Sequence, residues 1–285
     1  MEDGAAGRTR RALNASQISR LPIRFAPKAD MREPTAACLL RANNGHSQAA
    51  VPITFTYIVA YRTGVEDDFG GAQMNGDAAG RKARTKTQFN TVAAEYDAGP
   101  GCFAHFGRRL VTAAEIQPGQ RVLDVASGRG AVLFPCAEQV GQTGEVVGVD
   151  LADEMVRATN AEASQRAIAG RVHVMDAERL DFADATFDRV LCGFGIMFFP
   201  DQLRALGEFR RVMKFGGRLA VSTWRVSQTS EIEAAMAELG MHRAKQPGWI
   251  TEPDDLSKLL MTAGFTDVFV KVDSGRCVPV GRTAS

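Results

Sequence analysis

The sequence predicts an α/β fold, a doubly wound and mostly parallel sheet with helices on both faces, and three observations carry that prediction. Residues 121 to 126, Arg-Val-Leu-Asp-Val-Ala, form a mostly apolar run of the kind found in strands covered on both sides. Gly128 and Gly130 follow at once and open into a helical stretch. Further apolar runs at 145–149, 172–175, 187–193 and 218–224 alternate with helical segments, the alternation that builds a parallel sheet.

The glycine loop is where a ligand is expected. Residues without a Cβ permit a tight turn and let backbone N–H groups approach a bound molecule, and the helix opening near Ala131 turns its positive end to the same spot. Gly-x-Gly alone recurs by chance, and Leu133 replaces the third glycine of the dinucleotide fingerprint. The strand at 145–149 ends in Asp150, twenty residues after Gly130. A carboxylate there lies across the crevice and can accept both hydroxyls of a ribose, so a nucleoside is the ligand indicated.

Asp124 narrows the choice. The run Asp124-Val125-Ala126-Ser127-Gly128-Arg129-Gly130, an acid followed by small residues and Gly-x-Gly, resembles the first motif of the class I S-adenosylmethionine-dependent methyltransferases. The resemblance covers about residues 87 to 274, and 187–201 looks most like the ubiquinone-menaquinone-biosynthesis and natural-product members. It implies a Rossmann-like fold and S-adenosyl-L-methionine as cofactor. The cofactor-binding residues it implies are Asp124, Ala126, Ser127, Gly128, Gly130, Asp150, Leu151, Met155 against adenine, Asp176 and Ala177 at the adenine edge, Gly193 beside the sulfonium, and Tyr96 from a helix ahead of the core. A buried carboxylate is ill placed beside a pyrophosphate and well placed beside an ammonium. The implied activity is methyl transfer to oxygen, nitrogen or carbon of a small-molecule acceptor, mainly by proximity and alignment. None of His46, His105, His173 and His242 is assigned as a catalytic base, and no metal is expected. Two other readings stay open: a non-catalytic S-adenosylmethionine-binding relic, and a NAD-dependent dehydrogenase. Asp124, the missing third glycine and the lack of a Tyr-x-x-x-Lys pair disfavour the dehydrogenase.

Along the chain, residues 1–80 read as a disordered N-terminal extension and 81–285 as the methyltransferase domain, shortened at its C-terminus. The first 45 residues hold eight Lys or Arg against four acids without helical or strand period, although 53–61 has strand-like composition. Arg81, Lys82, Arg84 and Lys86 read as a solvated leader. From Thr87 the spacing of Phe89, Val92, Ala93 and Tyr96 predicts one helical face. Phe103, Phe106, Leu110, Val111 and Ala114 predict a second helix over 102–115. Pro135 is expected to bend the helix over 131–140. Asp153 is expected to cap a helix over 154–169 that Gly170 closes. The stretch 194–200, Phe-Gly-Ile-Met-Phe-Phe-Pro, is too apolar for a free loop and is expected to line a pocket. A helix over 202–214, a turn at Gly216-Gly217, helices over 231–245 and from Thr251, and a strand over 267–272 complete the pattern. The resemblance implies an antiparallel seventh strand near the C-terminus. Only Cys277 to Val280 offers one, so the seventh strand is expected to be short or missing, with an open edge.

Composition sets outer bounds. A net charge of +1 gives no general field toward nucleic acid or an anionic membrane. The five cysteines stand far apart, without Cys-x-x-Cys, and read as free thiols of a cytoplasmic protein. An arginine-rich organelle-targeting leader is the alternative, opposed by Glu2 and Asp3. The longest apolar candidate, 51–61, holds a proline and falls short of the ~20 residues of a span. The oligomeric state is left open.

Overall fold

The structure, a computed structural model, describes residues 53–62, 77–96, 102–168, 170–225 and 253–275. Among them are seven strands, β1 (Ile53–Tyr61), β2 (Arg121–Val125), β3 (Glu145–Asp150), β4 (Gly170–Val174), β5 (Phe187–Gly193), β6 (Met213–Arg225) and β7 (Thr266–Gly275). The helices are α1 (Ala78–Val92), α2 (Cys102–Ala114), α3 (Leu133–Val140), α4 (Asp153–Gln165), α5 (Gln202–Val212) and α6 (Pro253–Thr262), with a short 3₁₀ turn at Ile196–Phe198.

All seven strands join one sheet in the order β4-β3-β2-β5-β6-β1-β7. Neighbours from β4 through β6 run parallel. The chain winds outward from β2 through β3 to β4, then crosses to β5 and β6 on the other side of β2. The carboxyl ends of β2 and β5 therefore flank a topological switch point, where such sheets open a crevice. Alternation along each strand feeds two cores. Val122, Val146, Leu191 and Ala220 pack under α2, α3 and α4, while Leu123, Val147, Val190 and Leu219 pack under α5 and α6.

The seventh strand is present, which corrects the expectation of a short or missing one, and it comes from the N-terminal side. β1 pairs antiparallel with β6, from Thr54 opposite Arg225 to Tyr61 opposite Arg218, and antiparallel with β7 on its other edge. Residues 53–61, read as part of a disordered extension, thus lie inside the sheet. The cause is geometric: β6 and β7 run the same way, and the place between them suits an antiparallel strand whatever its position in the chain. Ile53 to Tyr61 is rich in β-branched and aromatic residues, the composition that fits such a surface. Ile58 and Ala60 enter one core and Val59 the other. The Arg218 guanidinium donates to the Tyr61 hydroxyl, and that of Arg62 to the carbonyls of Arg211 and Met213. The expected strand at 277–280, the helix over 231–245 and the helix start at Thr251 lie outside the described residues.

Smaller departures have local causes. α1 begins at Ala78 rather than Thr87, because Asp77 caps it by accepting from the Gly80 N–H at 3.0 Å. α3 begins at Leu133, so Pro135 falls in the first turn, where its missing N–H breaks no helical bond and the expected bend loses its cause. Asp153 is the first residue of α4 rather than its cap, and Gly170 opens β4 rather than closing a helix. The Gly216-Gly217 turn is absorbed into β6, whose register against β5 shifts between Phe187 and Arg189.

Candidate active site

The switch point carries a crevice of about 720 Å3, open mouth included, and a smaller hollow of about 450 Å3 beside it; Tyr96, Ala126, Gly128, Gly193 and Phe194 line both. Together they have the size of a small-molecule or cofactor site. The glycine loop forms the floor. Ser127 N–H donates to the Val149 carbonyl at 3.0 Å and Gly130 N–H to the Ser127 carbonyl at 2.8 Å, which folds the loop back between β2 and β3. Gly130 has φ +81°, and a Cβ there would come within 2.6 Å of the Phe134 ring. Ala126 and Phe194, at the ends of β2 and β5, also hold left-handed backbone, with φ 55° and 58°. Such conformations in non-glycine residues cluster at ligand sites.

Asp124 lies within β2, completely buried, and neither carboxylate oxygen has a hydrogen-bond partner. Burial pushes its carboxyl well above the usual range and the nearby Asp150 pushes it further, while the Leu133 backbone N–H weakly opposes the rise. The Ser127 hydroxyl oxygen is likewise buried and without a partner. Both residues belong to the wall of the smaller hollow, at the N-terminal end of α3. Native proteins rarely leave buried polar groups orphaned, and such groups at a cavity call for a ligand that completes them. An acid and a hydroxyl facing one hollow suit the ammonium end of an amino acid.

The other two acids end β3 and follow β4. Asp150 accepts from the Gly128 N–H at 2.8 Å through one oxygen and from the Ala152 N–H at 2.8 Å through the other. Each oxygen retains a second lone pair, the pair of acceptors that two ribose hydroxyls require. Burial raises its pKa, and those N–H groups oppose the rise. Asp176 accepts from the Glu178 N–H at 3.0 Å and pairs with the Lys82 ammonium at 2.6 Å. Met155 is buried at the crevice wall between them.

Aromatic rings close the remaining side. Phe89 meets Tyr96 at 5.9 Å and Phe198 at 5.1 Å between centroids, Tyr96 stacks on Phe103 at 5.1 Å, and Phe103 meets Phe194 at 5.9 Å. The stretch 194–200 contributes Phe194, Gly195, Phe198, Phe199 and Pro200 to the crevice, as its apolar composition led us to expect.

Of the residues singled out in the sequence, Tyr96, Ala126, Gly128, Asp150, Leu151, Met155, Asp176, Ala177 and Gly193 line the larger crevice, and Asp124 and Ser127 line the smaller hollow. Gly130 lines neither and shapes the turn behind them. Lys82, Thr85 and Glu178 line the crevice without having been singled out. Lys82 corrects the reading of 81–86 as a solvated leader: these residues belong to α1, and Lys82 faces inward. Val92 corrects the predicted helical face, being 39% exposed while Ala93 is buried. The signal that finds Lys82 is its spacing of one and two helical turns from Lys86 and Asn90.

A doubly wound sheet whose switch point gathers an orphaned acid, a glycine loop and two further acidic strand ends defines the nucleoside-cofactor class of α/β proteins. Within that class, the model of the ubiE/COQ5 methyltransferase family matches residues 79–244, and the chain belongs to this family. It is 38% identical over 144 residues to aklanonic acid methyltransferase DauC of Streptomyces sp. (strain C5), which covers 50% of this chain and 66% of that protein. It is 41% identical over 137 residues to nocamycin O-methyltransferase of Saccharothrix syringae, covering 47% and 49%. The ubiquinone/menaquinone biosynthesis C-methyltransferase UbiE of Bordetella avium is 36% identical over 151 residues, covering 51% and 58%. The chain thus spans about half to two thirds of the length of these relatives. Among solved structures, Haemonchus contortus Phospholethanolamine N-methyltransferase 2 superposes with a TM-score of 0.52 at 19% identity, over 69% of this chain and 46% of that one, a likeness of fold alone.

Proposed function

We propose that this protein transfers a methyl group from S-adenosyl-L-methionine to a small-molecule acceptor. The observation that carries the reading is Asp124, a fully buried carboxylate without a hydrogen-bond partner at the wall of a hollow that shares lining residues with the crevice of Asp150 and Asp176. The residues present fit the cofactor. Asp124 and Ser127 would take its ammonium end, Asp150 its ribose, Asp176 and Ala177 its adenine edge and Met155 the ring face. When bound, the cofactor supplies a methyl group on a positively charged sulfur, already activated for displacement. The chain's own part is to align that methyl with the acceptor and to exclude water, and alignment supplies much of the acceleration in such a step. Phe89, Tyr96, Phe198 and Phe199 offer flat apolar walls suited to an aromatic or conjugated acceptor. The relatives named for aklanonic acid, nocamycin and quinone biosynthesis support an acceptor of that size, methylated at oxygen or carbon. A cytoplasmic site of action belongs to the same proposal and rests on the five scattered cysteines.

Calorimetry with S-adenosylmethionine, S-adenosylhomocysteine and NAD tests the cofactor. The first two should bind and NAD should not, since a pyrophosphate over the loop would approach the Asp124 carboxylate. Asp150→Ala should weaken S-adenosylhomocysteine by about 1.5–3 kcal/mol. Tight NAD binding alone would end the proposal. Turnover on a panel of phenols, quinones and amines tests transfer, and cofactor binding with no product from any acceptor would leave only a non-catalytic binding protein.

A further inference from the structure

We propose that Lys82 is a positioning residue that latches α1 over the crevice through the paired carboxylates of Asp176 and Glu178. The proposal rests on the cofactor reading only for what lies beneath α1; the latch itself is a property of the free protein.

α1 is attached in an unusual way. Its 15 residues include none that is buried, whereas a surface helix is ordinarily held by an apolar stripe. Phe89 alone packs on the cluster of Ala152 and Met155 and on Phe198, and polar anchors one turn apart supply the rest. Lys82 reaches Asp176 at 2.6 Å and Glu178 at 2.5 Å. Lys86 pairs with Asp153 at 3.0 Å. Asn90 donates to Asp153 at 2.9 Å and accepts from the Glu154 N–H at 3.0 Å, so it grips the first turn of α4 from both sides. Past the helix end, the Arg129 guanidinium donates to the Ala93 carbonyl at 2.7 Å, tying the turn to the glycine loop.

Of the two lysine anchors on α1, Lys82 is the better shielded from water, although its second partner Asp176 is 34% exposed. The Lys82 side chain is 23% exposed and that of Glu178 only 6%, against 40% and 52% for Lys86 and Asp153. Exposed pairs are screened and contribute little, whereas removing one member of a covered pair leaves an uncompensated charge. Burial lowers the Lys82 pKa, but its bonds to the two acids outweigh that and hold it above its ordinary value, so the ammonium stays charged. Glu178 is held from behind, since its other oxygen accepts from the Asp201 N–H at 2.8 Å and its carbonyl from Arg204 at 3.1 Å. The latch therefore fastens to a rigid post.

The same bridge touches adenine recognition. The Glu178 N–H occupies one Asp176 oxygen and Lys82 the other. Each Asp176 oxygen keeps a second lone pair, so an adenine amine arriving there shares the carboxylate with the ammonium, which keeps Glu178 as its second partner. Closure of α1 and occupancy of the adenine end thereby meet at one carboxylate.

Hydrogen–deuterium exchange of the full chain, free and with S-adenosylhomocysteine, tests this in wild type, Lys82→Met and Lys82→Arg. In the free protein Lys82→Met should speed exchange of the 78–92 amides roughly tenfold, with β2 to β6 unchanged. Lys82→Arg, which keeps the charge, should restore most of the protection. Exchange over 78–92 equal to wild type in Lys82→Met would overturn the proposal. So would acceleration spread equally over β2 to β6, the mark of a merely structural role. Failure of wild type to bind S-adenosylhomocysteine would remove the cofactor reading instead, and the free-protein comparison would still decide the latch.

Discussion

Replacing Asp124 by Asn separates a crevice built for a cation from one that is only structural. The carboxyl is fully buried and unpartnered, and burial, then Asp150, raises its pKa well above the ordinary value. The titratable neighbours give no relief. Asp150 is itself raised by burial, and Cys136 and Cys192, buried and pushed further up by Asp124, remain neutral thiols. In the unfolded chain Asp124 should titrate near its ordinary value of about 3.9. Above that pH folding takes up a proton, so the Asp124 contribution to stability is whole below about pH 4 and is lost as pH rises toward the folded pKa. The loss proceeds at up to about 1.4 kcal/mol per pH unit. Asp124→Asn keeps the shape without the titration. Urea unfolding should therefore show the variant gaining on wild type as pH rises above about 4, by up to that slope until the raised folded pKa is passed. A bound ammonium reverses the preference, since it favours the ionised carboxylate, and ligand binding should then expel up to about one proton. Losing that charge-assisted bond should weaken S-adenosylhomocysteine by about 1.5–3 kcal/mol, roughly 10- to 150-fold in Kd. Calorimetry in buffers of unlike ionisation enthalpy reads the proton directly: the apparent enthalpy should vary with buffer in wild type and not in Asp124→Asn. Equal buffer dependence in both proteins, or unchanged affinity in the variant, would refute the assignment of Asp124 to a cation.

Two substitutions probe the frame around the site. Ile58 is fully buried in β1, so Ile58→Ala should cost about 2–5 kcal/mol in urea unfolding, and a cost near zero would show that β1 is not integral to the sheet. Gly130→Ala imposes a side chain at φ +81° and 2.6 Å from the Phe134 ring. It should lower stability by roughly 1–3 kcal/mol and weaken cofactor binding with it, and a thermal midpoint equal to wild type would contradict the loop geometry.

The acids of the crevice were legible in the sequence because each is marked by its immediate neighbours. Asp124 precedes its glycines by four residues, and Asp150 and Asp176 each close an apolar run. Lys82 carries no such mark. Its partners stand 94 and 96 residues away, and its stripe with Lys86 and Asn90 is polar, so the pattern reads as a solvated face until the fold brings α4 and the Asp176 loop beneath it. β1 was half legible for a related reason. The composition of 53–61 marks a strand, but Thr54 lies opposite Arg225 in the sheet, and no local rule reaches across that separation. Helix ends such as those at Ala78 and Leu133 were displaced because capping by Asp77 and the tolerance of a first turn for Pro135 depend on backbone angles that periodicity does not contain.

The two ends of the sheet carry different side-chain chemistry. At the amino ends of the parallel strands, long basic side chains cap carbonyls that helix and strand termini leave over. Arg189 reaches the Ala114 carbonyl at 2.9 Å, Arg218 that of Ala113 at 3.1 Å and Arg62 that of Arg211 at 3.2 Å, while Lys214 pairs with Asp188 at 2.8 Å. At the carboxyl ends the same sheet keeps an unpartnered acid, an unpartnered hydroxyl and two left-handed non-glycine residues around the smaller hollow. Each of these unmade or strained features lowers stability in the free protein, and each persists only because the packing around it leaves no alternative. A ligand that pairs with Asp124 and Ser127 removes part of that cost, so its binding energy and the stability of the fold are coupled at the same atoms. The antiparallel β1 supports the site from the far side: it fills the place between β6 and β7, so the sheet that holds the crevice is joined there by a strand that precedes every site residue in the chain.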